Sequence, residues 1–91
     1  MEYTLTMKEE ISNLKFPNTD VLNTPDEIKN RKYDLDRAMS LGNLDQVKMK
    51  IYFEDDESPK VVDTTVWATT ESSVVLKSGT YIPIRRIYKI V

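Results

Sequence analysis

From residue 47 onward the chain alternates. Val47, Met49, Ile51 and Phe53 are apolar, and Lys48, Lys50, Tyr52 and Glu54 lie between them. A period of two is that of a strand with one buried face, so the spacing predicts a first strand here. The polar run "EDDESP" reads as a loop, and "KVVDTTVWATT", rich in β-branched residues, reads as a longer second strand. "TESS" turns the chain into a third strand, "VVLKS". Gly79 allows a tight reversal into a fourth, "TYIPI", and "IYKIV" follows with almost no loop. Pro83 has no N–H to give to a ladder, so the fourth strand is either an edge or bent there. Ile82, Ile84, Ile87 and Ile90 are the core candidates of this closing stretch.

Before residue 43 the pattern is helical. In "TPDE", Thr24 is placed to cap a helix, Pro25 suits its first position, and Asp26 and Glu27 put negative charge at the positive end of the dipole. Ile28, Leu35 and Met39 lie near one stripe, with Tyr33, Ala38 and Leu41 beside it. Gly42 fits the left-handed residue that closes a helix, which gives a main helix over residues 25 to 41. Upstream, Thr6 to Glu9 has the spacing of a capping box, and Met7, Ile11 and Leu14 recur at i, i+4, i+7 before Pro17. This predicts a short first helix, either a docked space-filling segment or a partner-binding one. Residues 16 to 23 connect the two.

The elements define one α+β domain over residues 1–91, helical over 1–43 and β-rich over 44–91. Five short antiparallel strands covered by one or two N-terminal helices are expected to curl into a small barrel, which removes most exposed edges. A chain of this length buries only about 60 to 65% of its unfolded surface. Shallow surface binding is therefore a better expectation than a deep catalytic cavity.

Composition narrows the function. The chain is 40% hydrophobic and 31% charged with a net charge of −2, an ordinary globular balance that exerts no global pull on nucleic acid or anionic membrane. It has no cysteine and no histidine, so disulfides, thiolate metal sites and the commonest general base are missing. No enzyme, metal or cofactor is expected. No stretch reads as a signal peptide or a membrane span, which predicts a cytoplasmic protein.

A helix followed by five strands, the last two fused through a tight turn in "IPIRRIYKI", resembles the Sm-like (SH3-like) small barrel over residues 24 to 91. Within that class the "YDLDRAM" helix, the "YFEDDESPK" loop and the final "IPIRRI" resemble the Rof-type modulators of Rho-dependent transcription termination, small acidic bacterial barrels that bind the Rho factor. The run "TTVWATTESSVVLKSGTYIPIRRIYKI" is similar also to a family of small bacterial proteins of the Bacteroidetes kind, a likeness that carries no function. The resemblance implies a non-catalytic binding or regulatory module.

Two surfaces are candidates. For a protein partner, Glu54, Asp55, Asp56 and Glu57 form a contiguous acidic run, read either as a solubilising loop or as a docking patch for a basic protein. Trp67 shares strand parity with Val61, Asp63 and Thr65, and is expected beneath a helix or else as an exposed anchor. The alternative is RNA or single-stranded DNA held by Lys48, Lys50, Tyr52, Arg85, Arg86 and Lys89. The first and last strands of a closed barrel would bring these residues together, unless the face is simply solvated. The expected state is a monomer or a small homo-oligomer, the latter through the edge that Pro83 marks.

Overall fold

The computed structural model describes all 91 residues. It contains strands β1 (Thr4–Leu5), β2 (Lys48–Glu54), β3 (Pro59–Thr69), β4 (Ser73–Leu76), β5 (Tyr81–Pro83) and β6 (Ile87–Ile90), with one long helix, α1 (Pro25–Asp45). Two 3-10 segments, Lys8–Asn13 and Ile84–Arg86, complete the elements. The fold is α+β, and no helix is long and apolar enough to cross a membrane.

The strand order is β5-β4-β3-β2-β6, antiparallel throughout, and β1 pairs in parallel with β3 at Lys60 and Val61. The sheet thus has six strands where five were expected, one of them the two-residue β1. The expected closed barrel is not formed: β5 pairs only with β4 and β6 only with β2, so two edges remain. Pro83 sits on one of them, as its missing N–H requires. The short 3-10 turn between β5 and β6 carries the chain from one edge of the sheet to the other.

The inward face follows the predicted parity. Met49, Ile51 and Phe53 of β2 meet Val62 and Val66 of β3, Val74 and Leu76 of β4, and Ile82, Ile87 and Ile90. Ile87 and Ile90 are three apart, yet both are buried. Tyr52 pairs with Lys89 and Phe53 with Ile87, so Tyr88 is the extra residue of a β-bulge that restores the inward direction.

The N-terminus of α1 is the one the sequence predicts. Thr24 Oγ1 accepts the Glu27 N–H at 3.2 Å and donates to Glu27 Oε1 at 2.8 Å, and Pro25 opens the first turn. Its C-terminus lies further on. The helix runs through Gly42 to Asp45, and Gln46 takes the left-handed conformation (φ 52°), with the Val47 N–H reaching back to the Leu41 carbonyl at 3.3 Å. Gly42 serves another purpose: a Cβ there would lie 2.0 Å from the Val66 carbonyl oxygen, so its bare Cα lets α1 rest on β3. The buried stripe is Arg31, Leu35, Ala38 and Gly42, while Ile28 and Tyr33 face outward.

The first predicted helix is the 3-10 segment Lys8–Asn13. Glu10 Oε1 accepts the Met7 N–H at 3.3 Å, but Thr6 does not cap it: Thr6 is buried and its hydroxyl donates to the Thr4 carbonyl. Ile11 enters the core, Leu14 and Phe16 pack against it, and Met7 is exposed.

Candidate interaction surfaces

The outward face of β2 and β6 carries Lys48, Lys50, Tyr52 and Lys89 together, as expected. Tyr52 is opposite Lys89, whose ammonium lies 5.0 Å from the centre of the Tyr52 ring. The rings on this face are engaged with one another. Tyr3, brought in by the N-terminal segment, meets Tyr52 edge-on at 4.7 Å and Tyr88 at 6.1 Å. Lys50 lies opposite Asp63 of β3. Tyr88 donates to Glu54 Oε1 at 2.6 Å, and burial together with that bond pushes its phenol up to about 12.

The two arginines do not join this face. Arg86 is only 5% exposed, and its guanidinium donates to the Glu54 carbonyl (3.1 Å) and to the Thr19 carbonyl and hydroxyl (2.9 and 3.1 Å). Glu54 Oε2 lies 3.5 Å away as its counter-charge. Arg85 donates to the Pro17 carbonyl at 2.9 Å and to Asn18 Oδ1 at 3.1 Å, and its own carbonyl accepts the Val21 N–H. Both side chains pin the 17–21 connection to the sheet. That loop would otherwise have no ladder to satisfy its carbonyls.

The acidic run is likewise divided. Asp55 is 2% exposed and its Oδ1 accepts from the N–H groups of Glu57 (3.1 Å) and Ser58 (2.9 Å) and from Lys60 Nζ (2.8 Å). Burial pushes this carboxyl up, but the Lys60 ammonium and the two N–H groups outweigh it and hold it below the usual range. Glu54 is committed to Tyr88 and Arg86. Only Asp56 and Glu57 face solvent, so the four-carboxylate patch is reduced to two. Asp55 is the hinge of the β2–β3 turn.

Trp67 stands free of α1, so of the two placements the sequence left open, beneath a helix or exposed, it takes the exposed one. Val66 pairs with Leu76 and Ala68 with Val75, so Trp67 is the extra residue of a second bulge, and its indole is 51% exposed. Val62, Thr64 and Val66 lie inside and Asp63 and Trp67 outside, while Thr65, of the same parity as Trp67, is buried. The indole escapes cover because α1 packs against the inward side of β3, with Gly42 on the Val66 backbone and Leu35 and Ala38 in the core.

Sequence reasoning missed two features. One is a shallow cleft of about 330 Å³ between α1 and the β3–β4 turn, floored by Leu35 and Ile84 and rimmed by Lys32, Asp36 and Glu71. The other is the role of Arg31, which is 5% exposed beside that cleft. Its guanidinium makes a paired contact with both oxygens of Asp20 (2.9 and 2.8 Å) and donates to the Ile87 carbonyl at 3.0 Å. The Arg31 bond lowers the Asp20 carboxyl against the upward push of burial, with help from the Leu22 N–H. Every shifted group therefore has a local partner that accounts for it.

No known protein family, curated protein or solved structure matches the chain.

Proposed function

We propose that the chain is a cytoplasmic, non-catalytic protein-binding module that contacts its partner through Trp67, with Asp56 and Glu57 as peripheral charges for a basic partner. The observation that carries this reading is the half-exposed indole, held outward by a bulge in the longest strand of the sheet. A tryptophan on rigid backbone loses little entropy on binding, and tryptophan is enriched among residues that dominate interface energies. The strand path β5-β4-β3-β2-β6 with its 3-10 turn supports an Sm-like kinship, and with it the concrete version of this function: modulation of transcription termination through the Rho factor.

Trp67 is the only tryptophan, so intrinsic fluorescence reports directly on it. Titration with the partner, starting with the Rho factor, should shift the emission to the blue. Trp67→Ala should weaken binding by about 2 kcal/mol or more, roughly 30-fold, with the fold intact. Failure with Rho alone removes the termination version. A Trp67→Ala variant that recovers the same partners from lysate with the same affinity overturns the whole reading.

A second reading, single-stranded nucleic acid on Lys48, Lys50, Tyr52 and Lys89, is favoured by one observation: none of these lysines has a carboxylate within ion-pair distance. Arg85 and Arg86 take no part in it. Affinity on this face should fall steeply with salt, and Lys48→Gln with Lys50→Gln should abolish it; no binding to mixed oligonucleotides at low salt would eliminate the reading.

A further inference from the structure

The outer face of the sheet carries a row of side chains that the fold does not use. Across β3, β4 and β5, Ala68 pairs with Val75 and Val75 with Tyr81, and the bulge sets Trp67 beside Ala68 against Val75. The neighbours Val74, Leu76 and Ile82 are fully buried, so Val75 and Tyr81 point the other way, outward with Trp67. The row is thus an exposed indole, a half-buried valine and a phenol that is 60% exposed. Neither Trp67 nor Tyr81 pairs with another ring. At the far end Tyr81 also lines a shallow cleft of about 340 Å³ with Leu14, Phe16 and Gly79. Positive charge runs alongside the row. Thr65, two residues before Trp67, lies between Lys48, its neighbour in β2, and Lys77, whose backbone N–H its carbonyl accepts at 3.1 Å. Neither lysine has a carboxylate within ion-pair distance.

Side chains two strands apart stand about 9.5 Å from each other. A polyproline II chain advances about 9.3 Å in each turn of three residues. We propose that this row receives a proline-rich, acidic segment of the partner: Pro-x-x-Pro lies across the strands, one proline on Trp67, the next on Tyr81, and Val75 beneath the residues between. The inference rests on the Trp67 reading and names the chemistry of the partner at that site. Polyproline II suits the face in two further respects. It makes no internal hydrogen bonds, so its carbonyls are free to accept from the indole N–H and the Tyr81 hydroxyl. It is also ordered before it binds, so an exposed row of rings holds it without a deep pocket. The unpaired ammonium groups of Lys48 and Lys77 call for acids among the intervening residues. Asp56 and Glu57, at the opposite end of β3, lie beyond this segment and serve another part of the same partner.

Titration of the intact chain with a synthetic peptide of Pro-Ala-Glu repeats, read by calorimetry and by Trp67 emission, tests this. The peptide should bind saturably with a Kd below about 1 mM, and replacing its prolines with alanine should weaken it at least about tenfold. Replacing its glutamates with lysine should weaken it most at low salt. Tyr81→Ala should lose as much affinity as Trp67→Ala, and Tyr81→Phe, which keeps the ring, should retain most of it. Both side chains are exposed, so circular dichroism should show each variant folded. No saturable binding of the peptide, or equal binding of its alanine version, overturns the proposal, as does tighter binding of an oligothymidylate. Recovery from lysate separates this failure from that of the reading beneath it. Partners lost in Trp67→Ala but kept in Tyr81→Ala refute the proline-rich segment alone; partners kept in both refute the Trp67 reading as well.

Discussion

Replacing Gly42 with alanine separates two explanations of why glycine is there. As the left-handed closing residue of a helix ending at Leu41, Gly42 would cost about 1 kcal/mol to replace, through its backbone angle alone. In the structure it is helical, and the obstacle is Val66: the added Cβ would lie 2.0 Å from that carbonyl oxygen and 3.0 Å from its carbon. Carbon and carbonyl oxygen approach to about 3.3 Å at closest, so α1 has to retreat by about 1 Å. A retreat of that size forfeits a quarter to a half of the dispersion energy across the interface that Leu35 and Ala38 make. Overpacking of this severity costs about 3 kcal/mol, and alanine returns about 1 kcal/mol through its better helix propensity. The expected net loss is about 2 kcal/mol, a fall in Tm of roughly 8 to 16 °C, read by thermal and urea unfolding followed by circular dichroism. Gln46→Gly gives the complementary sign. It relieves a left-handed glutamine and should gain about 0.5 to 1 kcal/mol, whereas a helix closed at Gly42 would leave no such strain to relieve. A Gly42→Ala protein as stable as the wild type refutes the close-approach argument.

Three further outcomes follow from buried groups. Thr64 is 2% exposed and its hydroxyl has no hydrogen-bond partner, so Thr64→Val should raise stability by about 1 kcal/mol in urea unfolding; a loss would show that the hydroxyl is satisfied. Asp20 and Asp55 have lowered folded pKa values, so their contribution is present above about pH 4 and is lost as the pH falls through those values. Unfolding free energy should therefore drop below about pH 4, less steeply in Asp55→Asn, and a flat profile would contradict both ion pairs. Tyr88 is raised from 10.0 to about 12, so its contribution holds up to about pH 10 and disappears as the pH passes through the folded value. In Tyr88→Phe that alkaline loss should be missing, and absorbance titration should lose its most alkaline tyrosine.

The strands were legible because a half-buried strand announces itself by a period of two, and α1 began where Thr24, Pro25, Asp26 and Glu27 said it would. What escaped depends on partners remote in sequence. Gly42 answers to Val66, and local rules for helix ends contain no such residue. Of the buried stripe on which α1 packs only Leu35 is a large apolar residue, with Leu41 packed partly against the core, so hydrophobic periodicity found these but also drew in Ile28 and Tyr33, which face outward; the small pair Ala38 and Gly42 was the available signal. Arg85 and Arg86 looked like half of a basic patch because counting charge does not distinguish a solvated guanidinium from one whose acceptors come from residues 17 to 19. Asp55 was hidden in the same way among three exposed-looking neighbours. For the candidate site, parity grouped Trp67 with Asp63 and left open whether a helix covers it; the indole is exposed because the helix that could have covered it packs on the inner face.

The position of β6 also sets the order in which the molecule can assemble. The hairpins β2–β3, β3–β4 and β4–β5 join neighbours in sequence, so they close short loops and form early. β6 must instead slot between β2, more than thirty residues upstream, and α1, more than forty upstream, before Arg86 can reach Thr19. Each of those closures loses chain entropy ahead of any gain in contacts. Docking of residues 84 to 90 is thus the closure that spans the longest stretches of chain, and until those residues are in place the meander keeps its β2 edge bare.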